Sequence, residues 1–274
     1  MTISVAILVP EGIAFATDSR QTFTNTRGDI RVSSDNAHKL FHLSQNAMAM
    51  TYGWAFLMGR NIHSHVNDFK VTLSNEQLPI EDMVKRLAAH LHKQYEQHIA
   101  KKYDNPVAEN DYALALLVGG FDPGAKSGKL YEIYIPKGEY HLRLTTDERP
   151  GSAWRGQSGA IGRLVKGYDP GLDQLKGFSS ELKKVLDDEA PLTYKISYWT
   201  MTLQDAIDLA LFLTHTVIQM LRFTDGTYQF PGEAARCGGS IEVAVIEPGS
   251  GFKWVQHKQL HATQYTIGSP ISET

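Results

Sequence analysis

The feature that most restricts the fold of this chain is that its strand-like segments are continuous apolar runs, with little alternation of apolar and polar residues. Ile3 to Val9 (ISVAILV) and Ile13 to Thr17 (IAFAT) flank the tight-turn signal Pro10-Glu11-Gly12 and read as a β-hairpin. A strand with one wet face carries polar side chains at every second position, and these strands do not. The sheets of this protein must therefore be covered on both faces.

Downstream, Gln21 to Ala37 is rich in Thr, Asn, Ser, Asp and Gly and reads as a polar loop. Lys39 to Leu43 and Ala47 to Tyr52, separated by Ser44-Gln45-Asn46, predict a second hairpin that completes one antiparallel sheet with the first. Trp54 to Phe69 reads as a helix. A better one starts at Pro79, where Ile80, Met83, Val84, Leu87, Leu91 and Tyr95 recur at helical spacing and Glu81 and Asp82 sit in the positively polarised first turn. Tyr112 to Phe121, Leu130 to Ile135 and Glu139 to Leu144 predict three strands, with turns at Asp122-Pro123-Gly124 and Pro136-Lys137-Gly138. Ala153 to Gln157 reads as a short strand running into a helix from about Ala160, and Gly162 to Tyr194 as short helices joined by loops. Thr202 to Arg222 gives the clearest helix, with Thr202 and Asp205 as a capping box and an apolar stripe through Leu203, Ala206, Ile207, Ala210, Leu213, Val217 and Leu221. Ser240 to Glu247 and Phe252 to Gln256 form a last hairpin around Pro248-Gly249.

Segregated strands and helices with hairpin connections define an α+β protein built on antiparallel sheets. Two sheets packed face to face with helices outside satisfy the demand for double coverage. No repeat or linker divides the chain, so the expectation is one domain over residues 1–274, with a core at 2–260 and a tail at 261–274.

Composition narrows the function. A chain of 274 residues is long enough to bury a large core without staples, and its one cysteine, Cys237, rules out an internal disulfide framework and the cysteine-rich zinc modules. With 27 basic against 30 acidic residues and a net charge of -3, no electrostatic footprint for nucleic acid or an anionic membrane is present. The start, MTISVAILVPEG, has neither a basic n-region nor a cleavage site and is not expected to be a signal peptide. A cytoplasmic protein with no cofactor, no metal, no nucleic acid partner and no membrane association is expected.

Several segments carry a family resemblance: Thr2 at the chain start, GIAFATDSR with Asp18 and Arg20, HKLF with Lys39, the TYG turn ending in Gly53, GGFDP followed by LYEIYIPKG, and the late strand GGSIEVAVI. In this order the chain resembles a proteasome β-type subunit of the N-terminal-nucleophile hydrolases, in the bacterial proteasome-like branch. Asp18 lies sixteen residues after Thr2, the family's spacing from nucleophile to aspartate. The resemblance implies an αββα sandwich, a peptide or protein substrate, and assembly into a homo-oligomeric ring or related array; an unfoldase partner is left unidentified.

The implied chemistry is acyl transfer. A threonine hydroxyl needs a base, and an N-terminal threonine carries one in its own α-amine, whose pKa of about 8 leaves a neutral fraction at pH 7. Thr2 is then the nucleophile once Met1 is removed. Lys39 would depress the amine's pKa and assist proton transfer, Asp18 would hold Lys39, and the Gly53 N–H would bind the oxyanion. Arg20 is a supporting candidate, and either Gln157 or Ser158 occupies the family's serine position in GQSGAIG. After the long helix, Asp225 and Thr227 are the nearest counterparts of the family's Asp and Ser.

Rival readings from other classes are a non-catalytic scaffold or assembly subunit that keeps Met1, and an amidase or ligase of narrow specificity. Gly156-Gln157-Ser158-Gly159-Ala160 approaches a nucleophile elbow but has Ala in the fifth place and lacks the parallel sheet that motif needs. His63 with His65, and His90 with His92, stand two apart on expected helices and face different ways, which argues against a metal there. Cys237 reads as a small packed residue.

Overall fold

The computed structural model describes residues 2–24, 27, 29–73, 76–102, 113–169, 171–172, 177–186, 192–227, 230–232 and 235–259. The first hairpin forms as its residues dictate: β1 (Ile3–Val9) and β2 (Gly12–Thr17) are buried at every position. Ile3, Val5, Ile7 and Val9 enter one apolar cluster, while Ala6 and Leu8, on the opposite face of the same strand, enter another.

Three expectations change in the next sixty residues. The segment read as a polar loop contains an antiparallel ribbon of β3 (Gln21–Thr24) and β4 (Ile30–Ser34), exposed or half-buried throughout. The second hairpin, β5 (Leu40–Ser44) and β6 (Ala47–Gly53), forms as expected but lies in a different sheet from the first. The helix expected from Trp54 begins only at Ile62. Before it, β7 (Phe56–Leu57) and β8 (Arg60–Asn61) form a miniature ribbon around Met58 and Gly59, whose φ values of +52° and +77° no right-handed helix accommodates. Helix α1 (Ile62–Thr72) then starts where the Asn61 side chain accepts the Ser64 N–H at 2.9 Å.

Helix α2 (Ile80–Lys102) follows, then β9 (Leu114–Phe121), β10 (Gly128–Tyr134), β11 (Glu139–Thr145) and β12 (Gly151–Gly156). Helices α3 (Gly159–Lys166), α4 (Ser180–Lys184) and α5 (Leu203–Phe223), the small ribbon β13 (Gly226–Thr227) with β14 (Phe230–Pro231), and the hairpin β15 (Glu242–Glu247) with β16 (Gly251–Gln256) complete the elements. One sheet runs β12-β1-β2-β15-β16 and the other β11-β10-β9-β6-β5, each pairing antiparallel.

Three apolar clusters stack these elements into four layers. Phe15, Ile13, Met48, Met50, Leu117 and Ile246 fill the space between the sheets. The outer face of the first sheet packs against α3 and α5, and that of the second against α1 and α2. The architecture is the αββα sandwich expected from doubly covered strands.

By length and composition α5 is apolar enough to cross a membrane, but Ala206, Ala210, Leu213 and Val217 bury against the first sheet. Its N-terminus has the expected capping box, and Glu11, in the β1–β2 turn, accepts the Leu203 N–H at 2.7 Å. Its outer face leaves Phe212, Met220 and Phe223 exposed.

A polar cluster also joins the sheets. Glu132 on β10 accepts hydrogen bonds from the Tyr52 hydroxyl, from Arg143 at 2.6 Å and from both Nε and, at 2.8 Å, Nη2 of Arg155 on the facing sheet. Burial would push this carboxyl up, but the bonds from Arg155 and Tyr52 and the charges of both arginines hold it down to about 2. The same burial and the adjacent carboxylate raise the Tyr52 hydroxyl far above its usual range.

Candidate functional site

Thr2 enters the fold at the mouth of β1. The adjacent Ile3 pairs with Gly156 on β12, and the Thr2 carbonyl accepts the Gln157 N–H at 2.8 Å. A side chain at Gly156 could not be tolerated: its φ is +89°, and a Cβ would lie 1.8 Å from the Thr2 carbonyl oxygen. Thr2 is 4% exposed, and what exposure it has faces a cavity of about 750 Å³ that Lys39, Thr51, Gly53, Trp54 and Arg236 also line.

Asp18 follows directly after β2 and is fully buried. Its Oδ1 accepts Lys39 Nζ at 2.7 Å and the Ile3 N–H at 3.1 Å; its Oδ2 accepts the N–H groups of Arg20 at 3.1 Å and Gly238 at 3.0 Å. Four donors, one of them charged, converge on a single carboxylate. A buried ion pair holds only when its remaining lone pairs are met in this way. Lys39 itself stands just before β5, 5% exposed, and its carbonyl accepts the Thr51 N–H at 2.9 Å. The strands carrying Asp18 and Lys39 are not paired neighbours, since they belong to opposite sheets; the two side chains meet across the end of the sandwich. Ser4 Oγ, bonded to the Thr51 carbonyl at 3.3 Å, ties the same two sheets nearby.

The other sequence candidates divide. Gly53 ends β6 with φ +88°, lines the Thr2 cavity, and is so close to Ala113 that a Cβ would fall 2.2 Å from its carbonyl oxygen. Arg20 lines the cavity too, but its guanidinium is engaged bidentately by Asp35 at 2.7 and 2.9 Å and donates to the Ala235 carbonyl at 3.1 Å. That hydrogen-bonded pair raises the Arg20 pKa and lowers that of Asp35. Gln157 contributes its backbone N–H to Thr2, and Ser158 occupies the N-cap position of α3 with no side-chain capping bond. Asp225 is exposed after α5, accepts the Gly232 N–H through its carbonyl at 2.9 Å, and does not line the Thr2 cavity. Cys237 is 1% exposed, and burial pushes its thiol well above the usual range, which disfavours the thiolate that a nucleophile needs.

Several residues that sequence reasoning passed over stand beside this site. Gly238 was visible only as a glycine before the late strand, yet it donates to Asp18. A second cavity, of about 610 Å³, abuts the first, and Asn36, His38 and His63 line both. Its walls include His42, Trp254, His257 and Lys258. Burial lowers the pKa of His38, His42 and His63 and that of Lys258. Lys258 Nζ donates to Ser19 Oγ at 2.7 Å and to the Ala37 carbonyl at 3.0 Å, which brings this second group of charges to the residue following Asp18.

The chain folds as a four-layer αββα sandwich, with a threonine at the mouth of its first strand and a buried Lys–Asp pair at the same end. Two of the solved structures that share this fold are Anbu proteins. One is the Anbu (Gly-1) mutant from Hyphomicrobium sp. strain MC1, at 15% identity and a TM-score of 0.53, covering 94% of this chain and 86% of that one. The other is the helical assembly of the Anbu complex from Pseudomonas aeruginosa, at 18% identity and a TM-score of 0.56, covering 94% of this chain and 88% of that one. No family model and no curated protein matches the sequence. The expectation of a proteasome β-type subunit of the bacterial proteasome-like branch is corrected accordingly: these structural relatives are Anbu proteins, and at 15 and 18% identity the likeness is one of fold. Short motifs in the right order reported the strand frame and did not carry the branch.

Proposed function

We propose that this protein is an N-terminal-threonine amide hydrolase acting on peptide bonds after removal of Met1. The observation that carries the reading is the Lys39–Asp18 pair, 2.7 Å apart and almost fully buried, whose lysine lines the cavity onto which Thr2 opens. A lysine held there by a carboxylate with three further backbone donors has one evident use, to present a positive charge beside the Thr2 amine and hydroxyl.

In this mechanism the free α-amine of Thr2 takes the hydroxyl proton as Oγ1 attacks the scissile carbonyl. The Lys39 ammonium favours the neutral amine and stabilises the developing alkoxide, while Asp18 holds Lys39 in place. The Gly53 N–H, on a strand end that faces the same cavity, binds the oxyanion. The tetrahedral intermediate collapses to an ester on Thr2 as the amine product leaves with the proton, and water hydrolyses that ester by the same route. A cavity of about 750 Å³ between Gly53 and the β3–β4 ribbon accommodates an extended peptide segment.

The test is an electrophile selective for N-terminal threonine, applied to processed wild type and to Thr2→Ala, with intact mass as the readout. One adduct on wild type and none on Thr2→Ala is the expected result; equal labelling places the nucleophile elsewhere. Retention of Met1 in protein from the native cell overturns the reading and favours a scaffold role. Self-association is part of the proposal, supported by the exposed Phe212, Met220 and Phe223 of α5 and by the assembly of the Pseudomonas Anbu complex, and light scattering of the purified chain measures it.

A further inference from the structure

The geometry points to a divalent transition-metal site formed by His38, Glu242 and His257 in the cavity beside the Thr2 cleft. Among the described residues these are the one group of three His, Cys, Asp or Glu side chains whose ligand atoms all lie within 4.8 Å of one another. They come from three separate parts of the chain: the residue before Lys39, the first residue of β15, and the residue after β16.

Glu242 is the anchor. It is fully buried, yet neither of its side-chain oxygens receives a hydrogen bond of good geometry from the described residues. What it has are ion contacts: Oε1 faces His257 Nδ1 at 2.7 Å and His38 Nδ1 at 3.6 Å, and Oε2 faces Lys258 Nζ at 2.7 Å. A carboxylate this buried, held by side-chain charges, is costly to maintain, and coordination to a cation is a recognised way to stabilise one. The oxygen aimed at both imidazoles is the one a metal would use, leaving Oε2 to Lys258 as an outer partner of the kind that orients metal-bound carboxylates.

The distances fit after a small adjustment. Metal–nitrogen and metal–oxygen bonds of about 2.0–2.2 Å place tetrahedral ligands roughly 3.4 Å apart. The His38–Glu242 separation of 3.6 Å already agrees with this. His257 would have to draw back by less than an ångström, and it is partly exposed and stacked on Trp254 at 3.9 Å between ring centroids, which leaves it room to slide. The fourth position opens to the cavity of about 610 Å³, where water or His63, its ring 5.0 Å from that of His38, completes the set. Two imidazoles and one carboxylate with an open position suit zinc and its neighbours in the transition series, not calcium or magnesium. Lys258 and Lys70, the cationic residues lining this cavity, oppose the metal's charge, so binding is weaker than at a site without them. The site makes no use of the Thr2 chemistry and holds whether or not that reading does.

The experiment is equilibrium dialysis of tag-free protein against Zn2+, with metal counted by mass spectrometry, on the Thr2→Ala background and on wild type. One zinc per chain is expected in both, falling at least tenfold in affinity in His38→Gln and in His257→Gln, with His215→Gln unchanged. Absence of stoichiometric zinc, or equal binding by all variants, overturns the site. X-ray absorption of the zinc-loaded wild type keeps the test independent of how the variants fold: two imidazoles in the shell support the assignment, and fewer than two refute it.

Discussion

Asp18 and Glu242 are both fully buried, and they lie at the same end of the first sheet: Asp18 directly follows Thr17, and Thr17 pairs with Glu242. Their surroundings differ in kind. Asp18 is held by three backbone N–H groups and one lysine, so its position is set by the fold itself. Among the described residues Glu242 is contacted by side chains, two histidines and a lysine, with no backbone donor. A carboxylate tied to the main chain is suited to keep one geometry through every turnover. One surrounded by movable, titratable side chains is suited to exchange partners, which is what a ligand site requires.

Replacing the cation beside Asp18 gives the sharpest way to break this contrast. Lys39→Met leaves a buried carboxylate facing only neutral donors and should cost about 3–5 kcal/mol in urea unfolding, besides abolishing the Thr2 adduct. The Glu132 cluster supplies an intermediate case, because its donors are side chains but two are arginines, and Arg155 spans both carboxylate oxygens. Its pKa is depressed from the ordinary 4.5 to about 2, so its contribution is complete above pH 4.5 and disappears as pH falls toward 2. Glu132→Gln should therefore remove about 2–3 kcal/mol at neutral pH and flatten thermal melts between those two pH values.

Glu242→Gln should be milder in metal-free protein, about 1 kcal/mol, since the change relieves a poorly bonded buried charge while Lys258 keeps Ser19 and Ala37 as acceptors. A loss as large as that of Lys39→Met would remove the distinction between the two carboxylates. Smallest of all, Arg20→Lys loosens a pair whose Asp35 partner is 44% exposed, and chemical denaturation should register about 0.5 kcal/mol.

How much of this was legible beforehand depended on whether the signal was local. The hairpins of β1–β2, β5–β6 and β15–β16 and the helices α2 and α5 are written in runs, turn residues and caps within twenty or so positions, and they form where expected. Which sheet a hairpin joins is not local. Nothing within Lys39 to Tyr52 says that it will pair with β9 and not with β2. The β3–β4 ribbon escaped notice because its residues are mostly polar and none is fully buried, so no burial pattern marks it. At the site, Asp18, Lys39, Thr2 and Gly53 were singled out by motif order; Thr2, Lys39 and Gly53 line one cavity, and Asp18 is bonded to Lys39. His38, Glu242, His257 and Lys258 were not read as a group for the opposite reason: each is unremarkable among its sequence neighbours, and roughly two hundred residues separate the first from the rest.

The bond from the Leu203 amide to Glu11 spans 192 positions of the chain. It joins the β1–β2 turn to the start of the long helix, so it closes only once that helix is docked on the hairpin. In pulse-labelling hydrogen exchange the Leu203 amide should gain protection after those in the middle of α5, marking the moment at which the two ends of the sequence are brought into register.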